Sequence, residues 1–308
     1  MSWTQKGRIY VPDGSREWSR SHAQVPSALL LDERIRIYYA TRDAQGRSLT
    51  SFIDVDAHDP TRVLYDHPHP VMGLGEPGTH DEDGVMTSCA LRQGDEVWLY
   101  YTGWSRGGNV PYRVSCGLAI STDGGYSFKR AFDGPVVDRT RFEPHMTMSP
   151  CVLHTGKQWQ MWYGSGLSWV EVAGKMEPIY VIKYATSADG KCWQQPDQLC
   201  IAQQHPLEAN TRPAVLATND GYEMWFSYRH SRDFRDGAGG YRIGRALSLN
   251  GVDWQRQDDP PDLQPGLQDW SSHMMAYPSI IRVNGQAIMF HNGDGFGRAG
   301  FGYSVFNT

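Results

Sequence analysis

The chain has 308 residues, with 29 Lys and Arg against 34 Asp and Glu, giving a formal net charge of −5. That balance excludes a polybasic footprint for nucleic acid or for an anionic membrane surface. A composition of 40% hydrophobic and 12% aromatic residues excludes a disordered chain and can bury a sizeable core.

The N-terminal stretch from Met1 to Trp18 has no apolar run of the signal-peptide kind. No segment reaches the ~18 apolar residues that span a bilayer. The five cysteines lack CxxC spacing and read as free thiols in a reducing compartment, so a cytoplasmic protein with neither a nucleic-acid nor a membrane partner is expected. GRIYV (Gly7 to Val11) is the first strand-like run and stands alone. After it come five copies of one pattern, an apolar run opened by Pro or Ser, a turn, and an aromatic run. The openings are VPSALLL (Val25 to Leu31), TSCAL (Thr87 to Leu91), SPCVL (Ser149 to Leu153), RPAVL (Arg212 to Leu216) and YPSII (Tyr277 to Ile281). With Pro26, Ser88, Pro150, Pro213 and Pro278 as markers, the steps are 62, 62, 63 and 65 residues. The second runs are IRIYYAT, VWLYYTG, WQMWYGS, YEMWFSY and AIMFHNG. Third runs in three copies end in Asp-Gly or Asn-Gly, a strong hairpin signal because both residues tolerate positive φ.

No segment sustains a helical period. Five copies of a unit of three to four strands predict an all-β fold, a five-bladed β-propeller with four antiparallel strands per blade. The predicted single domain covers residues 1–308. Its inner strands lie near 25–31, 87–91, 149–153, 212–216 and 277–281, and the N-terminal run supplies the last strand of the fifth blade. The Gly-rich connections WSRGGNVPY, SGLSWVEVAGKMEP and HSRDFRDGAGG are expected as long loops on the rim where the inner strands begin, which is where binding faces usually form.

Counting back from each marker gives the candidate residues on that rim. Five positions before it stand Asp83, His145, Glu208 and His273, while His22 stands four before Pro26. Asp81, Glu82 and Glu143 lie close by, together with Gln24, Arg212, Trp104, Arg229 and His291. Equivalent positions in a rotational repeat are expected to converge on one axis. Clustered acids and histidines there could supply a general acid and a general base. Alternatively His22, His145 and His273 could hold a central divalent metal ion. A third possibility is a hydrated, hydrogen-bonded plug of the channel. Trp104 and Trp169 in the rim loops offer faces on which sugar rings could stack.

The motifs WLYYTG, MWYGSG, ISTDGG, TSADGKCW and SLNGVDW resemble those of the five-bladed propeller glycosidases. These comprise the arabinanase/β-xylosidase group of family 43, the invertase–levansucrase group and the mannoside-phosphorylase group. The resemblance implies an enzyme that hydrolyses or transfers a sugar, acting on a small saccharide or sugar conjugate through carboxylates on the inner strands. Blade one carries SHAQVPS, with His22 and Gln24 where that group has an acid. Asp83 therefore stands as the candidate base, with Glu143 or Glu208 as the acid. His22, Gln24, Asp81, Glu82, Trp104, His145, Arg212, Arg229, His273 and His291 are the candidate substrate contacts. A metal-dependent reaction on a sugar or nucleotide-like ligand, and non-catalytic carbohydrate recognition, are the alternatives.

Overall fold

The structure is a computed structural model that describes residues 2–235, 238–257 and 263–307. The described residues form twenty strands and, apart from short 3-10 turns, no helix. The strands fall into five antiparallel units of four. The first comprises β2 (Ser21–Leu31), β3 (Arg34–Arg42), β4 (Ser48–Asp56) and β5 (Val63–Asp66). β6 (Gly84–Gln93), β7 (Glu96–Arg106), β8 (Tyr112–Ser121) and β9 (Lys129–Arg130) make the second. A parallel pairing of Ser48 with Gly84 joins these two units into one larger sheet. Third in order are β10 (Thr147–His154), β11 (Trp159–Val172), β12 (Lys175–Ser187) and β13 (Trp193–Ile201). The fourth has β14 (Glu208–Thr218), β15 (Gly221–His230), β16 (Arg242–Ser248) and β17 (Gln255–Gln257). β18 (Ala276–Val283), β19 (Gln286–Asn292) and β20 (Phe301–Asn307) run out after three strands, and β1 (Ser2–Tyr10) completes the fifth sheet from the other end of the chain.

The second strand of each unit is apolar on both faces because each sheet is covered on both sides. Tyr38, Phe52 and Leu29 of the first unit meet Val97, Leu99 and Tyr101 of the second. Trp98 and Tyr100 of the second meet Met161 and Tyr163 of the third, and Trp162 and Tyr184 of the third meet Met224 and Phe226 of the fourth. Trp225 and Ile243 meet Trp3 and Met289, and Phe290 and Phe301 meet Ile37 and Tyr39, which closes the circuit. A single such sheet could not bury both its faces, so each depends on its neighbours. The first strands follow the same circuit, β2 against β6, β6 against β10, β10 against β14, β14 against β18, and β18 against β2.

The long connection expected in the third unit is not a loop. β11 runs on to Val172 and β12 starts at Lys175, so SGLSWVEVAGKMEP is mostly paired strand. The two strands meet in a two-residue turn at Ala173 and Gly174, with φ of 49° and 77°. Two successive positive φ angles match the right-handed twist of the hairpin. At 14 and 13 residues, β11 and β12 are the longest strands among the described residues. In the fourth unit, Asp236 and Gly237 of the expected loop lie outside the described residues.

Candidate functional site

The geometry of the site begins with the residue before each marker. Val25, Ser149, Arg212 and Tyr277 all have positive φ, at 50°, 53°, 52° and 60°. None is glycine, so each holds a strained backbone. At each one the pairing between first and second strands slips, forming a bulge. Three of the bulges are held by an oxygen from the preceding unit. Val25 N–H donates to Asn292 Oδ1 (2.7 Å), Ser149 N–H to Thr102 Oγ1 (2.8 Å) and Tyr277 N–H to Ser227 Oγ (2.7 Å).

The bulges turn the side chains just before the markers towards the axis. Val25, Thr87, Ser149 and Tyr277, together with Gln24, Met86, Met148 and Thr211 or their neighbours, line a cavity of about 450 Å³. Arg212, the remaining member of that set, reaches across the channel. Its guanidinium donates to the carbonyl of Pro26 (2.7 Å) and to that of Ser88, stapling β14 to β2 and β6. Burial pulls its pKa down to about 10.

The cavity wall rises from the ends of second strands and the starts of third strands. Aromatic faces come from Trp104, Tyr112, Tyr180, Phe234, Tyr241, Tyr277 and Phe296. Arg229 is buried in this wall, with its guanidinium 3.6 Å from the Phe234 ring centroid. It donates to Tyr180 Oη (3.0 Å), Tyr241 Oη (3.2 Å), Ser231 Oγ (2.9 Å) and the Pro178 carbonyl (3.0 Å). Burial raises the pKa of Tyr180, Tyr241 and Tyr277, so these hydroxyls stay protonated. Arg42 lies 5.7 Å from the Trp104 ring centroid and donates from Nε to Gln24 Oε1 (3.0 Å) and from Nη1 to the Gly46 carbonyl (3.0 Å). Gln24 in turn donates to the Phe296 carbonyl (2.6 Å). His22 is bonded to Ser21 Oγ through Nδ1 (2.8 Å). Burial, reinforced by Arg42 and Arg298, lowers its pKa to about 4. Glu177 is the single carboxylate among the described lining residues, and it receives Arg235 through both oxygens, at 2.8 and 3.1 Å.

Of the residues expected here, His22, Gln24, Trp104 and Arg229 line the cavity. The acids do not. Asp83 accepts the backbone N–H of Arg106 (2.8 Å) and pairs with its guanidinium (3.3 Å). Glu143 is buried and accepts Tyr163 Oη (2.9 Å) and Gln195 Nε2 (3.2 Å), with Lys183 Nζ 3.8 Å away. Glu208 is paired with Arg256. Asp81 accepts Tyr101 Oη (2.9 Å) and Arg130 Nε (2.8 Å), while Glu82 caps the Gly78 N–H (2.7 Å).

The histidines are likewise dispersed. His273 is exposed beside Asp294 at 3.2 Å, and His145 lies off the cavity lining. His291 is buried, stacked on Trp270 and bonded through Nε2 to Ser304 Oγ (3.0 Å). Burial lowers its pKa to about 4. Among the described residues no group of three or more His, Cys, Asp and Glu is placed to hold a metal ion, so the expected His22, His145 and His273 set is corrected.

The expected convergence five residues before the marker is corrected for a geometric reason. An extended strand rises ~3.3 Å per residue, so residues four positions earlier than the bulge lie over 10 Å further along the chain. There Asp83 meets Arg106 and Glu208 meets Arg256, both bases of the same unit, instead of their counterparts across the axis. Glu177, Arg42, Arg235 and the tyrosines are the residues that counting from the markers missed. Arg42 was marked only by its place at the end of a second strand, and Glu177 only by lying in a flagged connection.

The fold is shared with solved structures of glycoside hydrolases. The similar solved structures include a glycosyl hydrolase from Bacteroides ovatus, 14% identical, covering 99% of this chain and 94% of that one with a TM-score of 0.74. A thermostable family-43 glycoside hydrolase is 14% identical, with 93% and 88% covered and a TM-score of 0.65. A member of a mannoside-phosphorylase family that contains glycoside hydrolases targeting β-1,2 mannosidic linkages in Candida mannan is 13% identical, with 99% and 94% covered and a TM-score of 0.70. In sequence, no family model matches. The chain belongs to the family of the uncharacterized proteins MT1551 and Rv1502 of Mycobacterium tuberculosis, each 37% identical to it over 309 aligned positions that cover 99% of both chains.

Proposed function

We propose that the five four-stranded units are the blades of one five-bladed β-propeller over residues 1–308. We further propose that the protein is a cytoplasmic, glycosidase-type enzyme holding a small saccharide or sugar conjugate in the cavity at the channel mouth. The observation that carries this reading is the cavity's lining, where aromatic faces stand beside the polar residues His22, Gln24, Arg42, Ser88, Thr102 and Ser149. A sugar ring presents apolar CH faces and hydroxyl edges, and a concave site mixing those two surfaces suits it. The fold shared with glycoside hydrolases supports the same class.

We assign the reacting carboxylate to Glu177. Glycosidic cleavage passes through an oxocarbenium-like state, which a carboxylate beside the anomeric carbon stabilises, or for which it takes the proton of attacking water. His22, held neutral at pH 7, is a proton acceptor in the same cavity. Asp83, Glu143 and Glu208 then serve the scaffold through their ion pairs. The test is turnover on a panel of nitrophenyl glycosides and short oligosaccharides. Glu177→Gln should lower kcat by about 10²-fold or more with a native circular-dichroism spectrum. Unchanged turnover in that variant would remove Glu177 from the chemistry. A second reading, carbohydrate recognition without catalysis, is favoured by one observation. No second carboxylate faces Glu177 among the described lining residues. Saccharide binding with no turnover across the panel would select it.

A further inference from the structure

Arg42, Arg212 and Arg229 have no carboxylate within ion-pair distance among the described residues, although Arg212 and Arg229 are buried and Arg42 stands in the cavity wall. A buried charge without a counter-charge is costly, and proteins ordinarily pair it. The cavity lining carries Arg42, Arg229 and Arg235 against Glu177, a formal surplus of two positive charges in a chain whose net charge is −5. Such a surplus opposes the positive charge that develops during glycosidic cleavage, unless the ligand itself brings a negative group.

The unused donors say where that group would sit. Arg229 and Arg212 spend both terminal nitrogens on carbonyls and hydroxyls, the Arg212 Nε left without a partner among the described residues is enclosed away from the cavity, and Arg235 is spent on Glu177. Arg42 spends Nε and Nη1, while its Nη2 makes no hydrogen bond among the described residues. We propose that the saccharide bound in this cavity is itself anionic, with a phosphate ester or carboxylate on the sugar held by Arg42. Arg212 and Arg229 supply a positive field without touching it. This rests on the carbohydrate reading above.

The experiment is calorimetric titration of the purified full chain with glucose, mannose and galactose, their 6-phosphates, their uronic acids, and inorganic phosphate alone. The expected result is that one of the charged series binds about ten-fold or more tightly than its neutral parent. The two charged series separate an ester from a carboxylate. Arg42→Met should remove that preference, bringing the affinities for the charged sugar and its neutral parent, measured in the same variant, to within about two-fold of each other. Raising NaCl from about 50 mM to about 500 mM should weaken only the charged ligands in the unaltered protein, a control that needs no variant to fold. Equal affinity for charged and neutral sugars overturns the inference and leaves the carbohydrate reading standing. Inorganic phosphate binding as tightly as the sugar phosphates also overturns it, because the anion would then not be part of the sugar. If no saccharide of either kind binds, the carbohydrate reading fails as well.

Discussion

At the scale of single residues, the buried titratable groups decide how the protein responds to pH. His291 is fully enclosed, with its Nδ1 lacking a partner among the described residues, and its pKa is lowered by burial to about 4. In the unfolded chain the same imidazole titrates near 6.5. Because the folded value is the lower one, the unfolded state takes up the proton first as pH falls. The stability present above about pH 6.5 is then lost progressively down to about pH 4. Between about pH 7 and about pH 5 the expected loss from His291 is on the order of 2 kcal/mol. His22 contributes with the same sign. Urea unfolding at the two pH values should show this loss, and His291→Gln should flatten it. An equal slope in the variant would place the dependence elsewhere. Arg212 belongs to the same scale, since one side chain ties three first strands at the axis through two carbonyls.

At the scale of elements, a recurrent turn locks the second, third and fourth units each to the one before it. The turns after β8, β12 and β16 begin with Ser121, Ser187 and Ser248, whose hydroxyls accept the N–H of Gly125 (2.8 Å), Gly190 (3.0 Å) and Gly251 (2.9 Å). Asp123, Asp189 and Asn250 collect the next backbone N–H groups. Backbone donors from Cys192 and Lys191 lower the Asp189 pKa to about 2. With its own donors spent inside the turn, each glycine turns its carbonyl to an aromatic residue of the preceding unit. Tyr38 Oη donates to Gly125 (2.9 Å), Tyr100 Oη to Gly190 (2.6 Å) and Trp162 Nε1 to Gly251 (2.7 Å). Tyr38→Phe removes one such clamp and leaves a buried carbonyl unpaired, so a loss of about 1–3 kcal/mol is expected in denaturant unfolding. A change below about 0.5 kcal/mol would mean that water or a shifted backbone replaces the clamp.

At the scale of the whole molecule, closure depends on β1. It pairs with β20 from Ser2↔Asn307 to Tyr10↔Phe301, joining the two ends of the chain in one sheet. Trp3 seats this strand against Trp225 at 5.7 Å and Phe306 at 5.1 Å between ring centroids. Without β1, the fifth unit would expose an edge and the apolar face that Trp3 covers. Removing residues 1–10 should therefore lower the thermal midpoint by about 5 °C or more, given about 3–5 kcal/mol for loss of a buried tryptophan alone. A midpoint within about 1 °C of the intact chain would show that the ring closes without its N-terminal strand.

Much of this architecture was legible in the chain. The marker spacing and the aromatic second runs locate the first two strands of every unit, the Asp-Gly and Asn-Gly turns end the third strand of three units, and the short fifth copy with the lone N-terminal run locates β1. These are local signals, since alternation and turn chemistry act over a few residues. The cavity was less legible. His22, Gln24, Trp104 and Arg229 line it, but the acids chosen from equivalent positions do not. Their fate rests on partners such as Arg256 for Glu208 and Arg130 for Asp81, which lie 48 and 49 residues away. The positive-φ residue before four of the five markers matters in the same way, because a one-residue slip moves every later side chain to the other face. The sequence by itself determined the five repeats, their strands and the order in which they follow one another. Only the tertiary structure decided which side chains reach the axis and which charges stay uncompensated, because both depend on strands brought together from distant parts of the chain.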